Sequence, residues 1–115
     1  MSQGAADRSL AILVERKDGF AVVRCSGRLV AGCTDVFQRE IKPLIPEYKR
    51  IVVDMKEVTH MDSMGLGTLV RLYVSAKGGG CSLELANLGP SVRQLLGVTH
   101  LISVLAVIGE NNIRF

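Results

Sequence analysis

The feature that most constrains this chain is a change of hydrophobic period between residues 50 and 77. "RIVVDM" (50–55) is a short continuous apolar run. That is the signature of a strand buried on both faces. From Met64 to Lys77 the pattern changes. Leu66, Leu69, Val70, Tyr73 and Val74 now recur at helical spacing and form one stripe. "KEVTH" connects the two patterns. At the junction stand Asp62 and Ser63, followed by Gly65 and Gly67. A buried strand that feeds an amphipathic helix calls for a sheet with helices packed on it.

The rest of the chain reads the same way. "LAILVE" (10–15) and "FAVVRCSG" (20–27) are β-type runs, and Asp18-Gly19 between them suits a tight hairpin turn. Gly27 closes the second run. In "CTDVFQREIKPLI", Phe37, Ile41, Leu44 and Ile45 share a helical face. Thr34 is the better of two candidate caps for that helix, the other being Cys33. Pro43 kinks or ends it. Gly78, Gly79 and Gly80 stop the helix that begins near Met64. "CSLELA" (81–86) alternates like a strand, and Pro90 opens a helix that Gly97 closes. "LISVLAVIG" adds a last strand or a short helix; pattern alone does not separate the two. The order is β-β-α-β-α-β-α and then this final element. It predicts an α/β domain with a mixed central sheet of about four to five strands and helices packed on it. Right-handed crossovers place the helix starts along one edge of the sheet, with Ser63 among them.

The 115 residues make one domain: a flexible tail over 1–9 and a folded unit over 10–115. Apolar residues make up 48% and aromatics only 4%, so the core must be aliphatic. Lys and Arg exceed Asp and Glu by 3, but the basic residues are scattered. Nucleic-acid binding would need clustering, so direct contact with nucleic acid is not expected. Three cysteines without a CxxC argue against a disulfide framework and for a reducing, cytoplasmic setting. Cys25 and Cys81 lie in strand runs and read as buried. No Cys or His pair has zinc-ligand spacing, so no metal and no cofactor are expected. No run reaches the ~20 apolar residues of a membrane span.

Asp62-Ser63 admits several readings. Either residue can cap the helix, since a side-chain oxygen there accepts an orphan backbone N–H. "GLGTLV" starts like a nucleotide-binding turn, but Val70 stands where a third glycine belongs. "MDSMG" lacks the first glycine of a hydrolase elbow, and neither His60 nor His100 has an orienting acid. His60 reads as a partly covered ring at the strand–helix corner. No catalytic residue follows from the pattern, and the chain reads as a non-enzyme. A serine at a helix start is also a fit acceptor for a regulatory phosphate.

The stretch from "VVDMKEVTHMDSMGLG" to "GPSVRQLLGVTHL" resembles the central part of bacterial anti-sigma-factor antagonists, in the STAS domain family. Asp54, Met61, Asp62, Ser63, Gly65, Leu66, Gly67, Gly79, Pro90, Val92, Leu95 and Leu101 fit that pattern. The resemblance spans about residues 10 to 108. It implies a STAS-like fold and a partner-switching role without catalysis. Ser63 would be the phosphorylated serine. Asp62, Ser63, Met64, Gly65, Leu66 and Val30 would form the partner-binding edge. The implied partners are an anti-sigma serine kinase and a serine phosphatase. Two positions depart from the pattern. Met64 replaces a common Ser or Thr, and Val30 replaces a usual Asp near the phosphosite. The same resemblance also fits a non-switching scaffold module, or a soluble subunit of a lipid or anion transport system.

Overall fold

The structure is a computed structural model that describes residues 10–98 and 106–109. The elements are β1 (Leu10–Arg16), β2 (Ala21–Leu29), α1 (Thr34–Ile41), β3 (Arg50–Met61), α2 (Ser63–Gly78), β4 (Ser82–Ala86), α3 (Pro90–Val98) and β5 (Ala106–Gly109). They form one mixed sheet in the order β1-β2-β3-β4-β5. β1 pairs antiparallel with β2, and every later pair is parallel. The expected α/β architecture is the one observed. The segment "LISVLAVIG" ends in a strand, β5; the rest of it lies outside the described residues, as does the expected tail over 1–9.

One face of the sheet carries the core. Val23, Cys25, Ile51, Val53, Met55, Leu83 and Leu85 point to it from the strands. Phe37 and Ile41 of α1, Leu66 and Leu69 of α2, and Val92 and Leu96 of α3 close over them. The other face holds a small apolar patch of Val22, Val52 and Ala86, with Phe20 against it. Ion pairs flank this patch: Arg24 with Glu15 and Asp54, and Arg50 with Glu84. The Arg50 guanidinium also lies over the Phe20 ring, 5.1 Å from its centroid.

Four local readings need correction. β3 does not stop at Met55. It runs on to Met61, so "KEVTH" is strand and not connector. Its pairing with β2 slips twice, between Arg24 and Ser26 and between Gly27 and Arg28. Each slip places an extra residue in β3. These bulges break the period that marks a strand. Gly27, at φ +109°, therefore lies within β2 and does not end it. α1 is preceded by Cys33, which makes no side-chain cap bond, and Thr34 already lies inside the first turn. α2 is rotated from its expected face: Leu72 and Ala76 are buried and Val74 is 62% exposed. A Cβ on Gly65 would collide with the Leu29 carbonyl oxygen. That close approach fixes how the helix turns toward the sheet. Pro43 acts as expected, and α1 gives way to a single 3-10 turn at Lys42–Leu44.

Candidate functional site

The bulges matter because they carry the far half of β3 past β4. Arg50 to Asp54 pair with β4, and all but Arg50 pair with β2 as well, whereas Glu57 to Met61 pair with β2 alone. The end of β3 thus stands on the rim of the sheet, where α2 begins.

Asp62 organises this rim. Its backbone is extended (φ −111°, ψ −176°), and it is the N-cap of α2. Oδ1 accepts from the N–H groups of Met64 and Gly65, both at 3.0 Å. Oδ2 accepts from the N–H of Ala31, also at 3.0 Å. One carboxylate therefore caps a helix and pins a loop. The pinned loop is a tight turn. Cys33 donates its N–H to the Val30 carbonyl at 2.9 Å, and Gly32 takes φ +92°. Only glycine adopts that angle without strain. The bonds from Ala31, then Gly65 and Met64, hold the Asp62 carboxyl below its usual range, so it stays ionised. Serine and asparagine can cap a helix, but each presents one acceptor oxygen. Aspartate alone meets both demands here.

Ser63 is the first residue of α2 and is exposed at the helix start, as is Met64 beside it, at 55%. Gly65 and Leu66 were expected on the partner-binding edge, and both are buried instead. Leu66 is 6% exposed and belongs to the core. These two shape the rim from below and leave Asp62, Ser63 and Met64 to present it. Val30 is half-buried, packed against the core at the start of the pinned turn. Its apolar side chain adds no charge to the surroundings of Ser63.

Sequence reading misses Ala31 and Gly32. The "VAGC" that follows a strand and precedes a helix is the available signal. His60, expected to be partly covered, is exposed, with Nδ1 3.0 Å from Thr59 Oγ1, because it sits on the singly paired half of β3. A shallow groove of about 350 Å³, lined by His60, Met61, Ser91, Gln94 and Leu95, runs beside this half.

The remaining reactive groups carry no site. Asp54 is buried, and accepts from Arg24 Nη1 (2.8 Å), Lys56 N (3.0 Å) and Asn87 Nδ2 (3.1 Å). It ties β2, β3 and the turn after β4 together. Cys25, Cys33 and Cys81 are buried free thiols. Burial, with the Asp54 charge adding to it, pushes the Cys25 thiol up to about 12. Among the described residues no three His, Cys, Asp or Glu side chains are grouped to hold a metal. Nor is any described helix long and apolar enough to cross a membrane.

Fold and rim together define a class: a small α/β module that presents a capped helix start, with an accessible serine, on one edge of a mixed sheet. The STAS domain model matches residues 11–112, and the chain belongs to that family. A STAS-domain containing protein of Pseudomonas aeruginosa is 31% identical over 78 residues, covering 68% of this chain and 77% of that one. The anti-sigma F factor antagonist of Paenibacillus polymyxa is 28% identical over 103 residues and covers 86% of each. Among solved structures, phosphorylated SpoIIAA of Bacillus superposes with a TM-score of 0.69. It is 18% identical and covers 89% of this chain and 93% of its own, a likeness of fold.

Proposed function

We propose that this chain is an anti-sigma-factor antagonist. It docks on an anti-sigma serine kinase through the rim around Asp62, Ser63 and Met64, and phosphorylation of Ser63 switches it off. A serine phosphatase resets it. The chain acts as substrate and binding module, not as an enzyme, and works in the cytoplasm without touching nucleic acid itself.

The observation that carries this reading is the placement of Ser63 on the accessible first turn of a long helix whose cap is already complete. A hydroxyl there is open to a kinase. The Asp62 carboxylate is committed to backbone N–H groups, so phosphorylation need not break the cap. A phosphate adds about −1.5 to −2 charges. In the free protein that charge stays in water at the favourable end of the helix dipole. Under a docked partner it must be desolvated next to ionised Asp62, which is costly. Affinity falls while the fold survives.

The test is calorimetry against the cognate anti-sigma kinase. Ser63→Ala is expected to bind like the wild type, Ser63→Asp to bind more weakly, and the phosphoserine form most weakly. Equal affinities for all three would remove the rim as the regulated surface. The scaffold or transport-subunit reading would then lead, with Val30 and Met64 as its sequence support.

A further inference from the structure

We propose that β1 is a seam for self-association: two copies of the chain pair antiparallel through their β1 edges, centred on Ile12, and extend the sheet across both molecules. This does not depend on the Ser63 reading.

β1 is the outer strand of the sheet. Among the described residues no strand pairs with its outer side. The direction of its main-chain groups follows from the hairpin. Lys17 donates its N–H to the Phe20 carbonyl at 2.8 Å, across the turn toward β2. Alternate residues of an antiparallel pair face the same neighbour. Ala11, Leu13 and Glu15 therefore turn their N–H and C=O groups to β2. Leu10, Ile12 and Val14 turn theirs outward.

A native edge strand of this kind is normally guarded by proline, by an inward-pointing charge or by a bulge. Residues 10–14 read "LAILV" and contain neither proline nor charge. The pairing of β1 with β2 runs without a register shift. Leu13 is 58% exposed.

The strand is also complementary to itself. With Ile12 opposite Ile12 of the second copy, Leu10 meets Val14 and Ala11 meets Leu13. All five apolar residues then pair with apolar residues. The outward-facing residues form three hydrogen-bonded pairs, which give about six main-chain bonds. The face away from the described helices fits too. A depression of about 240 Å³ opens beside Ala11 and Leu13, bordered on β2 by Arg24 and Ser26. Leu13 of the second copy, directly across from Ala11, falls at its rim. Moving the centre to Leu13 would set Glu15 against Ala11, whereas the Ile12 register leaves Glu15 and Arg16, the charges at the end of β1, outside the five-residue apolar pairing. A strip this narrow makes a weak, concentration-dependent dimer.

Sedimentation equilibrium on the full chain tests this. The expected result is an average mass that rises with concentration from 12.4 kDa toward twice that value. Leu13→Glu and Ala11→Lys both sit at exposed positions. Each alone should lower the dimer fraction, with circular dichroism unchanged. Mixing the two variants sets the new carboxylate at position 13 of one copy against the new ammonium at position 11 of the other, and should restore the dimer. A wild type that stays at monomer mass at every concentration overturns the proposal, whether or not another segment of the same chain covers the edge. So does a dimer that ignores Leu13→Glu, since its seam must lie elsewhere. A mixture that remains monomeric also overturns it, because the Ile12-centred register is then wrong.

Discussion

The two halves of β3 make opposite use of the same backbone. Ile51 to Asp54 are held on both sides, and Ile51, Val52 and Val53 are fully buried. Glu57 to Met61 are held on one side, are largely open to solvent and lie along the bulged stretch. The first half gives the domain a rigid centre. The second lifts the start of α2 clear of that centre and presents Ser63. The contrast shows how a small domain keeps a changeable surface without risking its fold: rim residues rest on main-chain hydrogen bonds, and central residues on burial and a paired charge.

Substitutions can break or sharpen that contrast, and the central half should give the largest effect. Asp54→Ala removes the acceptor for Arg24, Asn87 and the Lys56 N–H in a buried place. The expected loss is about 3 kcal/mol, read by urea denaturation. Loss below about 1 kcal/mol would mean that the centre is no firmer than the rim.

Gly65→Ala comes next, at about 1–3 kcal/mol, because the new Cβ must push against the Leu29 carbonyl. Gly67 is the control. A Cβ there meets only the end of the Arg71 side chain, at 3.6 Å. Gly67→Ala should stabilise by up to about 1 kcal/mol, the ordinary gain inside a helix. Thermal melts of the pair should move in opposite directions.

Asp62→Ala should cost about 0.5–2 kcal/mol as a lost cap. Asp62→Asn isolates the loop tie, since the amide can accept from Met64 and Gly65 but turns its NH₂ toward Ala31. The folded pKa of Asp62 lies below its unfolded value of about 3.9. Its contribution is therefore complete above that pH and is lost as pH falls through the folded value. Below about pH 4, wild-type stability should fall more steeply than that of Asp62→Asn. Parallel curves would show that the ionised carboxylate adds nothing.

The smallest stability effect belongs to Ser63→Asp. At an accessible first-turn position it should shift stability by under about 1 kcal/mol, in the favourable direction. A large loss of melting temperature would show that the rim and the centre are not separable.

The sequence by itself determined the element order as far as α3, and the start of α2; that the last element is a strand came only with the structure. The order and that start depend on local rules: the change of period at residue 62, the glycines at 78–80 and proline at the head of α3. It also marked Ser63, because a helix start after a buried strand is a local event. Tertiary structure decided the rest. The length of β3 is set by pairing with β2, and the bulges hide that pairing from any period. The face of α2 is set by the contact of Gly65 with Leu29, far back in the chain, so Val74 points out although its spacing says in. The second role of Asp62 needs a loop 31 residues away to arrive with its N–H exposed. Periodicity reports how a residue relates to its near neighbours. It carries no information about which distant backbone group will close against it.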